Sequence, residues 1–184
     1  FGLEKKLIIY VDQPGTGGDR DPYEGNPLTR VDVGHTFVEV IDTDTGETTG
    51  KRGLYPVEGV SPIDPEKPGV VRNDDKHDYD VKKEFPLTDE QYKKGREKVK
   101  EDEKNPPKYN LNKNNCTDWA CDVAKACGQD IKTKTGSWPG GGGRNPGDLG
   151  EDLAENGGER KKPCPKSGGG GSSKGGGNEG GSCK

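Results

Sequence analysis

Methionine is absent from this chain, and histidine occurs only twice. Aromatic residues make up 6% and hydrophobic residues 24% of its 184 positions, so any core must be small. No apolar run approaches the roughly 20 residues that a membrane span needs, and no signal peptide is visible. Without an initiating methionine the chain is expected to be a piece of a longer protein, and a secretion address would lie outside it. Lysine and arginine total 29 against 33 aspartates and glutamates, a net charge of −4, with the two signs interspersed rather than gathered into a basic stripe. That distribution argues against nucleic acid as a partner. The five cysteines lack the close paired spacing of a zinc site, so neither a metal nor another cofactor is expected. Cys116, Cys121 and Cys127 share one predicted helix and do not face each other well enough for a disulfide. Cys164 and Cys183 flank a glycine-rich tail and either pair in an oxidising compartment or stay as two thiols.

The apolar residues that do occur are clustered at 7–11, 33–41, 79–85 and 119–127, enough for one modest sheet-and-helix core. Lys5–Val11 reads as a buried strand and Val33–Ile41 as a second, with Asp44-Thr45-Gly46 turning the chain into a third that ends near Leu54. Gln13–Pro27 is a loop rich in Gly, Pro and Asp, long enough to line something. Residues 55–73 hold four prolines and read as irregular, and Tyr79–Phe85 is a further strand. Thr88 and Gln91 form a capping box, with Leu87 and Tyr92 as hydrophobic staple, at the start of a mostly charged helix that is expected to be a solvated face. Ile131–Arg144 reads as loop, and Asn145-Pro146 opens a short helix. From residue 157 to 184 the chain is Gly, Ser, Lys and Glu with no large apolar residue, a composition that cannot offset its ordering entropy. The expected organisation is therefore one domain over 1–156 and a disordered tail over 157–184.

The most informative stretch is Asn114-Asn115-Cys116-Thr117-Asp118-Trp119-Ala120. Ala120, Val123, Ala124 and Cys127 follow at helical spacing, Gly128 supplies the stop, and Asn114 or Asn115 is a good N-cap. Cys116 falls in the first turn, where the helix dipole favours a thiolate over a thiol. Asp118 and Asp122 read as acidic residues serving that dipole, Trp119 as a core anchor, and Trp138, beside four glycines, as a candidate cleft-lining aromatic. A nucleophilic thiol needs a base within hydrogen-bond reach. The candidates are His35, on a predicted strand in Gly34-His35-Thr36-Phe37-Val38, and His77, among carboxylates in Asp74-Asp75-Lys76-His77-Asp78.

A histidine-bearing strand, further strands, then Asn-Cys at a helix start resembles the circularly permuted papain-like hydrolases. These are the permuted relatives of the NlpC-type cell-wall peptidases, and they include the lecithin:retinol acyltransferase group. The matching motifs are Gly34-His35-Thr36-Phe37-Val38 and Asn115-Cys116-Thr117-Asp118-Trp119-Ala120. Tyr55-Pro56, His77-Asp78-Tyr79-Asp80 and Asn145-Pro146-Gly147-Asp148-Leu149 are similar to segments of bacterial members, some of them toxin domains of secreted effectors. The resemblance spans roughly residues 5–155. It implies Cys116 as nucleophile and His35 as its base. The superfamily usually orients the imidazole with a polar residue on the strand after the histidine strand. Here that strand offers Glu47, Thr49 and Lys51, so His77 is the expected third member, or else a substrate contact.

The expected fold is α+β, a small antiparallel sheet packed against a helix with Cys116 at its N-terminus, with Phe37, Val81, Val123 and Cys127 in the core. The expected function is a monomeric cysteine hydrolase of amide bonds, in peptide or cell-wall substrates such as peptidoglycan. As a toxin domain it would be secreted or delivered within a longer bacterial protein and would meet an immunity protein. The alternatives are an acyl ester or thioester hydrolase or acyltransferase of the same fold, and a non-catalytic binding module with structural thiols.

Overall fold

A computed structural model describes residues 4–14 and 33–161. In chain order the elements are β1 (Lys5–Asp12), β2 (His35–Asp42), β3 (Arg52–Pro56), β4 (Glu66–Lys67), β5 (Gly69–Asn73) and β6 (Val81–Pro86). They continue with α1 (Asp89–Lys104), β7 (Tyr109–Asn110), α2 (Cys116–Ala126), β8 (Gly136–Trp138), β9 (Gly141–Gly143), α3 (Pro146–Glu155) and β10 (Glu159–Arg160). Six strands form one antiparallel sheet in the order β10-β6-β1-β2-β3-β5. The architecture is α+β, with the sheet packed against the three helices.

Period-2 alternation divides the central strands between two faces. Leu7, Ile9 and Val11 of β1 join Val38 and Val40 of β2, Leu54 of β3 and Val81 of β6 in the main core. There they meet Trp119, Ala120 and Val123 of α2, Cys127 at its C-cap, and Leu149 and Leu153 of α3. Ile8, Tyr10 and Phe37 point the other way and form a second cluster with Ile41 and Tyr79. Phe37 is thus fully buried, but apart from Val81, Val123 and Cys127. Trp119 is the largest fully buried side chain, and its indole N–H donates to Asp102 at 2.8 Å.

Several elements differ from their sequence reading. The segment 55–73 is not irregular throughout: β5 pairs with β3 in the register Arg52↔Asn73 to Pro56↔Gly69. Its four prolines lie outside β5, which begins one residue after Pro68, so no ladder N–H is lost there. Helix α1 is no solvated face, because Tyr92, Gly95, Val99 and Asp102 are buried at helical spacing. Gly95 allows that approach, since a Cβ there would strike the Cys127 sulfur. The third strand starts only at Arg52, after Gly50 takes a left-handed conformation (φ 70°). Residues 136–143 form a β8–β9 hairpin rather than loop, in which a Cβ on Gly142 would stand 2.8 Å from the Gly136 carbonyl oxygen. The sheet also takes in Glu159–Arg160, past the expected boundary at 156. Residues 162–184 of the expected tail, with Cys164 and Cys183, lie outside the described residues, as does most of the 13–27 loop.

Candidate active site

Helix α2 begins where its capping chemistry dictates. Asn115 is the N-cap, and its Oδ1 accepts from the N–H groups of Thr117 (3.0 Å) and Asp118 (3.1 Å). The Asp118 carboxylate accepts in return from the Asn115 N–H at 3.0 Å, completing a capping box. The Asn115 amide donates to the carbonyls of Leu111 (3.1 Å) and Arg144 (2.7 Å), fixing the helix start to the turn before it and to the residue preceding the N-cap of α3. Cys116 is therefore the first helical residue, buried at 7% exposure, where the helix N–H groups have no intrahelical acceptor.

His35 opens β2. Gly34 before it has φ 72°, and a Cβ there would collide with the Asp12 carbonyl oxygen and stand 3.1 Å from Pro146. One residue further on in each element, the hydroxyls of Thr36 and Thr117 meet at 2.9 Å, both fully buried. That pair joins β2 to α2 directly beside His35 and Cys116.

The His35 Nε2 lies 2.9 Å from Asp74 Oδ2, with both side chains buried. Asp74 follows β5 and is fixed by its own backbone, its N–H donating to Lys51 O and its carbonyl accepting from the His77 N–H, each at 2.9 Å. Its second oxygen, Oδ1, accepts from the Tyr55 hydroxyl at 2.6 Å. Gly53 leaves room for the pair: a Cβ there would stand 2.5 Å from His35 Nε2 and collide with Asp74 Oδ2. With Nε2 engaged by Asp74, Nδ1 is the ring nitrogen left for Cys116.

Burial alone would pull the His35 imidazolium down. Hydrogen bonds that the imidazolium donates to Asp74 and Cys116, and the negative charge of both, outweigh it and raise the group from 6.5 to about 10. The Tyr109 phenol is driven upward by burial and by the charges of Cys116 and Asp118. The other two helix thiols behave differently. Burial raises Cys121 to about 11, with Arg144 opposing and Asp118 and Asp122 adding, and burial raises Cys127 to about 12. Thiols held up in this way are poor nucleophiles.

The orienting contact expected of His77 is made by Asp74 instead. The His77 Nε2 pairs with Asp12 Oδ2 at 3.1 Å, and its ring lies 5.1 Å from that of His35 at 54°. Asp12 is itself the cross-strand partner of His35, so His77 belongs to the same neighbourhood without sharing the hydrogen bond. Glu47 turns away, accepting from the Tyr92 hydroxyl through its carbonyl at 3.3 Å and pairing with Arg96 at 2.6 Å. Trp138 is half-buried and donates to Asn112 Oδ1 at 3.1 Å, packing its hairpin onto the turn ahead of α2. Among the described residues, no group of three or more His, Cys, Asp or Glu could hold a metal ion, and no helix is long and apolar enough to cross a membrane. Comparison of the chain with protein-family models, curated proteins and solved structures found no match.

Proposed function

We propose that this chain is a cysteine hydrolase of amide bonds, with peptidoglycan peptides as the substrate class, and that its α+β fold is a permuted papain-like one. The observation that carries the reading is the buried imidazole of His35, paired with Asp74 at 2.9 Å and near enough to Cys116 for the thiol to favour its protonated form. In this reading Cys116 is the nucleophile, His35 moves the proton and Asp74 orients His35. The sulfur attacks the amide carbonyl carbon, forming a C–S bond, and the carbonyl oxygen becomes an oxyanion. The Cys116 N–H, which the Asn115 cap does not take, stabilises that oxygen at the positive end of α2. The His35 imidazolium gives its proton to the leaving nitrogen, the C–N bond breaks, and a thioester remains. Water then attacks the thioester as His35 accepts its proton, releasing the acid and restoring Cys116.

Two further points support the assignment. The buried, upshifted thiols of Cys121 and Cys127 leave Cys116 as the thiol of α2 with a base beside it. The order of a histidine strand before the cysteine helix is the order a permuted papain-like enzyme requires. Delivery as a toxin domain, and a matching immunity protein, belong to the same proposal.

The test is to incubate wild type and Cys116→Ser with purified peptidoglycan and with an acyl-ester panel, reading products by mass spectrometry. Addition of water across an amide bond by wild type, reduced at least about 1,000-fold in Cys116→Ser, is expected. Turnover of esters alone would move the assignment to an ester or thioester hydrolase or acyltransferase. Equal activity of Cys116→Ser, or iodoacetamide labelling with no preference for Cys116 over Cys121 and Cys127, would leave a binding module.

A further inference from the structure

Tyr55 contacts both members of the His35–Asp74 pair. Its hydroxyl donates to Asp74 Oδ1 at 2.6 Å, while its ring lies 4.4 Å from the His35 ring at a tilt of 32°. Tyr55, His35 and Asp74 are all more than nine-tenths buried. The Arg72 guanidinium carbon stands over the Tyr55 ring, 5.3 Å from its centroid. Phe37 stacks on His35 at 5.7 Å and 16°, adding a second aromatic neighbour to the imidazole. Tyr55 also occupies the strand position two after Gly53, the glycine that leaves room for the pair, so one face of β3 provides both the space and the hydroxyl.

We propose that Tyr55 is a positioning residue of this site: it holds Asp74 by Oδ1, keeps Oδ2 on His35, and takes up part of the carboxylate's charge. The proposal rests on the hydrolase reading for its meaning in catalysis, but its physical content concerns His35 and Asp74 alone. A buried carboxylate with two donors, one on each oxygen, is balanced between them. Removing the hydroxyl leaves the whole negative charge to be met by His35. The imidazolium is then held more tightly and becomes a poorer proton donor to the leaving nitrogen. Loss of the carboxylate itself acts in the opposite sense, releasing the proton toward ordinary histidine behaviour. The other groups facing His35 stay in place in both variants: Cys116 at the start of α2, the His77 ring, and Asp12 across the strand pair.

The test compares wild type, Tyr55→Phe and Asp74→Asn by NMR titration of the imidazole nitrogens. The chain has only two histidines, and His77→Asn assigns the second. Tyr55→Phe keeps the ring, and its thermal melt reports whether the fold survives. The expected order of His35 midpoints is Tyr55→Phe highest, by about half a unit to one unit, then wild type, then Asp74→Asn. If wild type cleaves peptidoglycan peptides, Tyr55→Phe lowers kcat at least about threefold with KM unchanged. A His35 midpoint unmoved in Tyr55→Phe, or moved downward as in Asp74→Asn, overturns the proposal. Absence of cleavage by wild type refutes the hydrolase reading, while the titration order still decides the part played by Tyr55.

Discussion

Asp74→Asn removes one charge from the site and changes almost nothing in size. In the wild type the carboxylate sits 2.9 Å from His35 Nε2 with both groups buried. Burial works against the imidazolium, but Asp74 and Cys116 together raise it from 6.5 to about 10. A histidine raised above its unfolded value stabilises the fold fully below about pH 6.5, and that contribution disappears as pH rises through about 10. Removing one partner of a buried pair costs about 3–5 kcal/mol. The lower end applies here, because asparagine keeps an acceptor oxygen and Cys116 still faces the ring. Asp74→Asn should therefore lose about 3 kcal/mol at pH 6, a fall of about 6–12 °C in Tm for a chain of this size. The penalty should shrink through pH 8 and be less than about 1 kcal/mol once His35 is neutral in both proteins. Urea denaturation of the two proteins at pH 6, 8 and 10 measures this directly. A penalty of equal size at all three pH values would mean that Asp74 acts by packing, and one that grew with pH would reverse the assigned sign.

Gly53→Ala should push Asp74 and His35 apart, costing about 1–3 kcal/mol by overpacking and slowing Cys116 alkylation by iodoacetamide; unchanged melting and alkylation would contradict the contacts at that position. Thr36→Val and Thr117→Val should each cost about 1–3 kcal/mol by stranding a buried hydroxyl, whereas the double variant should cost less than their sum. A double-mutant cycle by denaturation reads that coupling, and strict additivity would refute it. His77→Asn should slow turnover by less than about tenfold and His35→Ala by about a hundredfold or more, as measured by steady-state kinetics; equal losses would give His77 the role of the base.

The parts of this site that could be read in the sequence are those fixed by local chemistry. Asn115 beside Cys116, Thr88 with Gln91, and Asn145-Pro146 are short-range capping signals, and all three helices start where those residues place them. The His35 and Phe37 strand is legible for the same reason, since alternation over eight residues needs no knowledge of a partner. Asp74 was not legible, because it stands in a run with Asp75, Asp78 and Asp80, and composition cannot say which carboxylate turns inward. That choice is made by the pairing of β5 with β3, which the surrounding prolines hide. Gly53 and Tyr55 offered a signal: a strand glycine two residues before an aromatic marks a face where another group comes close. Helix α1 reads as solvated from its charge alone, because its buried stripe depends on a single glycine, Gly95, that sets how near it lies to Cys127.

The distribution of buried polar groups bears on why this end of the fold exists at all. A chain with only 24% hydrophobic residues has few interior positions, yet His35, Thr36, Asp74, Asn115 and Thr117 all occupy them within the contact range of β2, β3 and α2. The other buried carboxylates serve local structure: Asp42 accepts the Asp44 and Thr45 N–H groups of its turn, Asp102 takes the Trp119 indole, and Asp152 accepts from the Lys134 N–H. His35 and Asp74 cap no helix and close no turn with their side chains. Buried ion pairs are weak contributors to stability compared with apolar residues of the same volume. The buried His35–Asp74 pair is instead what the proposed hydrolase would use, an imidazole oriented by a carboxylate near a thiol at a helix start.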